Sequence, residues 1–388
     1  MDIGFADRIK NLPKYLFAEI DKLKQAEIAK GADIISLGIG DPDLPTPKPV
    51  IESLYKAAQD PANHQYPAYE GMLVFRQEVA NWYKRRFNVS LNPANEVLTL
   101  IGSKEGIGHI IFAFVNPGDY VLIPDPGYPV YSAGTIMTGG NPYFMPLTAE
   151  NNFIPDLKSI PENVLKRTKM MFLNYPNNPT AATVDYSFFK EAIALAQKYN
   201  FIICHDAAYS EIYFDGTKTI SFMELDGAKD VGIEFHSLSK TYNMTGWRIG
   251  FVVGNPKILS GLGAIKENLD SGVFQAIQYA GITALNLPDS IGDGIRGIYS
   301  KRRDVIVPAL RDLGLQVNNP KATFYVWIKT PEGYSSKEFV LKLLQEAALV
   351  TTPGSGLGQA GEGYIRMALT TNITRLNEAA ERIRRLKL

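Results

Sequence analysis

Between residues 97 and 254, short runs rich in Val, Ile, Phe and Leu alternate with stretches of helical periodicity. Strands that alternate with helices form a mostly parallel sheet with helices on both faces. The runs are VLTLIG (97–102), YVLIPD (120–125), KMMFLNYP (169–176), FIICHDAAY (201–209), EFHSL (234–238) and RIGFVVG (248–254). The pattern therefore predicts an α/β fold around a mostly parallel sheet.

The chain has 388 residues, and single hydrophobic cores stop growing near about 250–300 residues. We therefore predict two domains. A large domain spans residues 48–285, and a smaller α+β domain spans residues 286–388, where long helical patterns precede TFYVWIK and YIRMALT. Residues 1–47 form an N-terminal arm and part of the small domain, separated from the large domain by DPDLPTPKP.

Composition narrows the class of partner. Forty basic residues balance 40 acidic ones, so there is no overall basic field for a nucleic acid or an anionic membrane. No run of about 18 apolar residues indicates a membrane span, and the N-terminal segment lacks the apolar core of a signal peptide. The single cysteine, Cys204, fits a reducing compartment. We expect a cytoplasmic protein whose partner is a small molecule.

Two motifs have ordinary interpretations. Residues 356–361 read GLGQAG, a literal G-x-G-x-x-G, but they precede a strand pattern instead of opening a helix, so we interpret them as a loop. Cys204, His205 and Asp206 are successive strand residues that point to alternating faces, so they cannot close on one metal ion. We predict no metal site.

Lys240 lies in HSLSKTYNMTGWRIGF, a segment that is too apolar and glycine-rich for an ordinary surface. One interpretation is a salt-bridged core lysine. In the other, burial and the nearby Arg248 lower the pKa of the amine, which then condenses with an aldehyde. Ser237, Ser239 and Arg248 are suitable donors to a phosphate, and Ser103 and Lys104 add the free N–H groups of a predicted helix start. An aldehyde that carries a phosphate describes pyridoxal 5′-phosphate.

The remaining parts of such a cofactor have matching residues at other predicted strand ends. Asp206, at the end of an apolar run, can keep the pyridine nitrogen protonated. Tyr209 and Asn178 are suitable donors to the phenolic oxygen, and Tyr128 can supply an aromatic platform for the ring.

With these residues assembled, the chain resembles the fold-type I, class I/II aminotransferases over essentially its whole length. SLSKTYNMTGWR is similar to the family's S-x-S-K motif with Arg eight residues on, HDAAY to D-x-A-Y, and NYPNNPT to its N-P-T turn. The resemblance implies a seven-stranded sheet, covalent attachment of the cofactor to Lys240, and a catalytic set of Lys240, Asp206 and Tyr128. It implies a cofactor site of Ser103, Lys104, Tyr128, Asn178, Asp206, Tyr209, Ser237, Ser239, Lys240 and Arg248. Tyr66 would reach the phosphate of a neighbouring subunit, which implies an obligate homodimer with shared sites.

The resemblance also implies substrates, an amino acid and a 2-oxo acid. Arg366 resembles the arginine that grips the α-carboxylate, and further motifs such as TTPGSGLGQAGEGYIR are most similar to the LL-diaminopimelate aminotransferases of lysine biosynthesis. Tyr69 and Gln275 differ from residues of some members, so a broader aminotransferase for aspartate, alanine or glutamate stays open, as do β-elimination or decarboxylation on the same scaffold. The implied substrate contacts are Tyr15, Gly40, Lys104, Asn178, Gln275 and Arg366.

Overall fold

A computed structural model of the chain describes residues 3–13 and 17–388. Its described strands form three sheets, of seven, three and two strands. They are β1 (Ile35–Ser36), β2 (Val97–Leu100), β3 (Tyr120–Asp125), β4 (Asn141–Pro146), β5 (Thr168–Asn174), β6 (Ile202–Asp206), β7 (Gly232–Ser237), β8 (Gly250–Gly254), β9 (Tyr325–Lys329), β10 (Leu349–Val350), β11 (Thr352–Pro353) and β12 (Tyr364–Ala368).

The seven-stranded sheet has the order β2-β8-β7-β6-β5-β3-β4. Only β8 runs antiparallel to its neighbours β2 and β7, and every other pairing is parallel. This confirms the predicted mostly parallel seven-stranded sheet. The sequence runs indicated six of these strands, whereas β4, with the sequence NPYFMP, lies at the edge of the sheet and was not predicted as a strand.

Helices cover both faces of this sheet, because successive strand residues point to opposite sides. On β5, Met170 and Phe172 pack in one apolar cluster with the helices α5 (Ser103–Phe114), α6 (Val130–Met137) and α11 (Pro256–Leu269). Met171 and Leu173 pack in another with α4 (Leu73–Phe87), α8 (Tyr186–Tyr199) and α12 (Gln275–Leu285). The described helices are α1 (Asp7–Lys10), α2 (Phe17–Ala29), α3 (Lys48–Ala58), α4 (Leu73–Phe87), α5 (Ser103–Phe114), α6 (Val130–Met137), α7 (Glu162–Leu165), α8 (Tyr186–Tyr199), α9 (Ala228–Val231), α10 (Leu238–Thr241), α11 (Pro256–Leu269), α12 (Gln275–Leu285), α13 (Asp289–Asp312), α14 (Ser336–Ala347) and α15 (Ile373–Arg384).

The C-terminal part of the chain has a sheet and an apolar cluster of its own. Strands β11, β12 and β9 form an antiparallel sheet, and α13, α14 and α15 pack against it in one core cluster. The N-terminal strand β1 joins this part, because Ile35 pairs with Leu349 of β10. The structure thus contains the smaller α+β unit, while the boundaries at residues 47 and 285 stay predictions. None of the described helices is long and apolar enough to cross a membrane.

Candidate active site

The carboxyl ends of the parallel strands β5, β6 and β7 lie side by side in the large sheet, and ligands of parallel sheets bind just beyond such ends. Asn174 ends β5, Asp206 ends β6 and Ser237 ends β7. Asn174 fixes the neighbouring segments, because its Nδ2 donates to the carbonyl of Asp206 (2.7 Å) and its Oδ1 accepts from the backbone N–H of Asn178 (2.9 Å). These two hydrogen bonds fix the position of the loop that contains Asn178 relative to Asp206.

Lys240 lies on the short helix α10, directly after β7. Its Nζ donates to the carbonyl of Gly40 (3.2 Å). Desolvation, opposed by the charge of Asp41 and assisted by those of Arg248 and Arg366, lowers the pKa of this amine to about 8. At pH 7 about one Lys240 amine in ten is then neutral, against roughly one in 3,000 for a lysine at its ordinary value. The site therefore contains a nucleophilic amine at neutral pH.

Asp206 is buried, and its carboxylate accepts a hydrogen bond from the hydroxyl of Tyr131 (2.8 Å to Oδ2). Burial raises the pKa of Asp206, while the Tyr131 hydroxyl and the nearby His205 act in the opposite direction. Tyr131 stacks on Phe172 with 4.7 Å between ring centroids. The sequence analysis missed Tyr131, although its position three residues after Tyr128 in a helical segment was a usable signal.

The N-terminus of α5 and Arg248 form a cationic, donor-rich corner. Gly102 precedes the helix with a positive φ of 71°, and a Cβ there would lie 2.3 Å from Nη2 of Arg248. The guanidinium of Arg248 is thus packed on the backbone just before Ser103, whose N–H, as the first of a 12-residue helix, has no partner within the helix. Free N–H groups and a cation together are suited to a phosphate.

The other predicted phosphate contacts lie close to this corner. Ser237 and Ser239 are buried, and the Ser237 hydroxyl accepts a hydrogen bond from the backbone N–H of Ser239 (3.2 Å). Lys104 lies on the first turn of α5, with its Nζ 5.9 Å from the ring centroid of Tyr128. Tyr128 in turn packs edge to face against Tyr131, with 5.9 Å between the ring centroids.

Arg366, on β12, approaches the same region from the C-terminal sheet. Its Nη1 donates to Oδ1 of Asn178 (2.8 Å), and its Nη2 donates to the carbonyl of Gly38 (2.8 Å). The side chain is 4% exposed, and Nε has no hydrogen-bond partner among residues 3–13 and 17–388. A buried guanidinium with an unused donor calls for an anionic ligand.

Tyr209 and Gly40 meet at a residue that the sequence analysis also missed. The hydroxyl of Tyr209 lies 2.9 Å from that of Tyr325, and burial raises the pKa of Tyr209 well above its usual value. A Cβ at Gly40 would lie 2.0 Å from the Tyr325 hydroxyl. Gly40 therefore leaves room for Tyr325 at the edge of the site.

Three residues predicted for the site are not among the groups around Lys240. Two of them lie in another part of the structure, and the third lies outside the described residues. Tyr66 is 88% exposed, and Gln275 donates from Nε2 to the carbonyl of Gln65 (3.5 Å), next to Tyr66. Tyr66 is thus exposed, whereas Gln275 is partly buried at the start of α12. Tyr15 lies outside the described residues, so its predicted contact with substrate stays a prediction.

The glycine-rich segment of residues 356–361 is a connection between β11 and β12, as interpreted from the sequence. Its Leu357 carbonyl accepts from the N–H of Gly127 (2.8 Å). Gly358 has a positive φ of 148°, and a Cβ there would lie 1.8 Å from Oδ1 of Asp125. The segment thus packs against the loop that carries Tyr128.

Glu105, His109 and Asp270 have side-chain ligand atoms within 4.8 Å of one another. Nζ of the fully buried Lys266 lies between the two carboxylates of this cluster, 3.1 Å from Glu105 Oε2 and 3.0 Å from Asp270 Oδ2, and Nδ1 of His109 lies 2.7 Å from Glu105 Oε1. We therefore interpret the cluster as a buried ion-pair network beneath the N-terminal turn of α5.

The family model described as aminotransferase class I and II matches residues 32–383. The chain therefore belongs to the class I and II aminotransferases, and it is a transaminase that moves an amino group between an amino acid and a 2-oxo acid. It is 58% identical to the LL-diaminopimelate aminotransferase of Syntrophobacter fumaroxidans, with 98% of each chain covered. It is 57% identical to the LL-diaminopimelate aminotransferase of Aquifex aeolicus, with 99% of each chain covered.

Solved structures support the same fold. The structure of apo-BacF from Bacillus subtilis superposes with a TM-score of 0.95 at 38% identity, covering 100% of this chain and 99% of that one. The predicted fold-type I aminotransferase architecture is therefore confirmed.

Proposed function

We propose that the chain is a cytoplasmic, pyridoxal 5′-phosphate-dependent LL-diaminopimelate:2-oxoglutarate aminotransferase of lysine biosynthesis. The observation that carries the proposal is the 57–58% identity to LL-diaminopimelate aminotransferases over 98–99% of both chains.

The residues at the site fit pyridoxal 5′-phosphate. Lys240 offers an amine of lowered pKa to the aldehyde, and Asp206 offers a buried carboxylate to the ring nitrogen. The corner formed by Arg248 and the start of α5 suits the phosphate, with Ser103, Lys104, Ser237 and Ser239 nearby. Tyr209 and Asn178 would donate to the phenolic oxygen, and Tyr128 would cover the ring face. When bound, this cofactor supplies an electron sink for charge that develops at the α-carbon of the amino acid.

The protein's own groups then have separate tasks. Arg366 binds the α-carboxylate through its unused Nε and its neighbouring N–H groups, and so fixes the direction of the Cα–H bond. Nζ of Lys240 takes the α-proton from the amino donor and, with the 2-oxo acid, returns a proton to the α-carbon of the new amino acid. Asp206 holds a negative charge in a buried place, which favours a positive ring nitrogen.

A panel of amino donors tests the substrate, with 2-oxoglutarate as acceptor. We expect kcat/KM for LL-diaminopimelate to exceed that for L-2-aminopimelate, aspartate and alanine by at least about tenfold, because one buried polar contact discriminates by that much or more. L-2-Aminopimelate is the matched control, since it lacks only the distal amino group. Faster turnover of aspartate than of LL-diaminopimelate would establish the broader aminotransferase instead. Release of pyruvate and ammonia from a β-substituted amino acid would indicate β-elimination.

We also infer a homodimer with shared sites. Large apolar side chains are exposed on the segments next to Tyr66, with Leu73 57%, Leu269 62% and Phe274 39% exposed. Exposed apolar side chains clustered in this way mark interaction surfaces. A second copy that covers them would bring Tyr66 and Gln275 towards its own phosphate and substrate sites.

Co-expression of two damaged chains tests the shared site. Lys240→Ala lacks the amine, and Tyr66→Ala loses a phosphate contact, which we expect to lower kcat/KM about 10–100-fold because hydrogen bonds to charged groups are strong. In mixed dimers one site combines the intact Lys240 of one chain with the intact Tyr66 of the other, so about a quarter of all sites are restored. Each variant alone is the control. Activity of the mixture no higher than the mean of the two variants would show that Tyr66 does not complete the neighbouring site.

A further inference from the structure

Tyr325 lies between the residues proposed for the cofactor and the residue proposed for the substrate. It is the first residue of β9, is 3% exposed, and faces Tyr209, Arg366 and Gly40. Neither the family motifs quoted above nor the predicted site includes it. The hydroxyl of Tyr325 contacts Tyr209 and its ring contacts Arg366, so the roles of the hydroxyl and the ring can be considered separately.

The hydroxyl of Tyr325 is paired with that of Tyr209 at 2.9 Å, and either oxygen can be the donor in this pair. A phenol has a single proton to donate. If Tyr209 donates its proton to a ligand, its oxygen remains free to accept, and Tyr325 becomes the donor in the pair. Such a chain of hydroxyls strengthens the last hydrogen bond, because each bond polarises the next.

The ring of Tyr325 supports Arg366. The guanidinium carbon lies 4.3 Å from the ring centroid, within the range of a favourable cation–π contact. Nη1 and Nη2 already donate to Asn178 and Gly38. The Tyr325 ring against the face of the guanidinium and the two acceptors of Nη1 and Nη2 hold the guanidinium in one orientation. In this orientation Nε has no hydrogen-bond partner in the described chain.

The backbone holds Tyr325 firmly in this place. Thr323 has a positive φ of 64°, which is unusual for a β-branched residue. Its Oγ1 accepts from the N–H of Tyr325 (3.0 Å), and its own N–H donates to the carbonyl of Ile212 (2.7 Å). A strained turn that is hydrogen-bonded on both sides indicates that the position of Tyr325 is under functional constraint.

We propose that Tyr325 is a positioning residue for both the substrate site and the cofactor site. Its ring orients Arg366 for the substrate carboxylate. Its hydroxyl donates to Tyr209, so that Tyr209 donates to the phenolic oxygen of the cofactor. This inference rests on the proposed function. It predicts that the two effects separate when the ring and the hydroxyl are removed one at a time.

Tyr325→Phe removes only the hydroxyl. We expect the pH midpoint of the absorbance change of the cofactor-loaded protein to rise by about half a unit, because a weaker donor at Tyr209 stabilises negative charge on the phenolic oxygen less. The affinity of the cofactor-free protein for glutarate, an unreactive analogue of 2-oxoglutarate, should stay within about twofold when measured by calorimetry, since the cation–π contact is kept.

Tyr325→Leu removes the ring as well. We expect the same rise in the midpoint and, in addition, an about fivefold weaker binding of glutarate and an about fivefold higher KM for the amino donor. Tyr299→Phe is the matched control, because Tyr299 is fully buried against the same Phe324 and its hydroxyl has no hydrogen-bond partner in the described chain. It should change neither quantity.

The outcomes are distinguishable. An unshifted midpoint in Tyr325→Phe overturns the role of the hydroxyl, and unchanged glutarate binding in Tyr325→Leu overturns the role of the ring. If Tyr325→Leu does not fold, Tyr325→Phe still decides the role of the hydroxyl. Weaker glutarate binding by Tyr325→Phe would show that the effects of the ring and the hydroxyl are not separate. A wild-type protein that fails to bind the cofactor or to transaminate would refute the proposed function, irrespective of Tyr325.

Discussion

Replacing Lys240 by methionine is expected to lower kcat about 10⁴-fold, because the variant loses the group that transfers the α-proton. The same change should make the cofactor-free protein more stable at pH 7. Methionine is also unbranched and of similar length, with sulfur in place of Cδ, and it lacks the amine. Borohydride treatment of the cofactor-loaded wild type, followed by peptide mass mapping, should attach the cofactor to the peptide with Lys240 and not to any peptide of the variant.

The gain in stability follows from the pKa of Lys240, which falls to about 8 in the folded chain from its ordinary value of 10.5. Between these two values the unfolded chain binds more protons, so the stability of the wild type rises with pH across this window. Below pH 8 the folded chain bears the full cost of a charged amine, roughly 3 kcal/mol. Lys240→Met removes this cost, so its advantage should be largest at pH 7 and fade towards pH 10.5.

Urea unfolding of the cofactor-free proteins at pH 7 and pH 10 measures this difference. Lys301→Met is a suitable control, because Lys301 is exposed on α13 and its removal should change the free energy of unfolding little at either pH. An advantage of Lys240→Met that is equal at both pH values would come from packing, and would contradict a depressed pKa at Lys240.

The sequence predicted the large sheet well and its edge poorly. Strands β5 and β6 are buried runs of β-formers, so pattern alone located them. Strand β4 was missed because NPYFMP contains two prolines, which read as a break, whereas at the sheet edge it pairs with β3 alone and tolerates them. Information about which strand is an edge strand comes from the assembled sheet.

The same limit applies to the site. Asp206 and Lys240 could be predicted, because each lies at or just beyond the end of a strand that the sequence pattern indicates. Tyr325 could not, because its contacts with Tyr209 and Arg366 depend on how the C-terminal sheet packs against the large one. Those pairs are far apart in the sequence, and no local pattern relates them. The sequence thus predicts reactive groups more readily than the residues that orient them.

Lys266 shows the converse problem. It lies in KILSGLGAIKENL, where a helical lysine reads as solvent-exposed, yet its side chain is fully buried. Its partner Glu105 is 161 residues away in the sequence. Within residues 3–13 and 17–388, Nζ of Lys240 has only the Gly40 carbonyl as a hydrogen-bond acceptor, whereas Nζ of Lys266 lies between two carboxylates. The opposite environments predict opposite results for the same substitution.

Lys266→Met is therefore expected to lower the free energy of unfolding by about 3 kcal/mol, because removing one partner of a buried ion pair leaves uncompensated charge. Here the uncompensated charges are two carboxylates, Glu105 and Asp270, which are 12% and 11% exposed. Urea unfolding at pH 7 measures the change.

Lys166→Met is the matched control, since Lys166 also forms an i,i+4 pair, with Glu162, but both side chains are about two-thirds exposed, at 65% and 66%. Exposed pairs of this kind contribute about 0.5 kcal/mol or less. Equal losses in the two variants would show that the buried network contributes no more than a surface pair, and a gain at Lys266 would show that its desolvation outweighs both ion pairs.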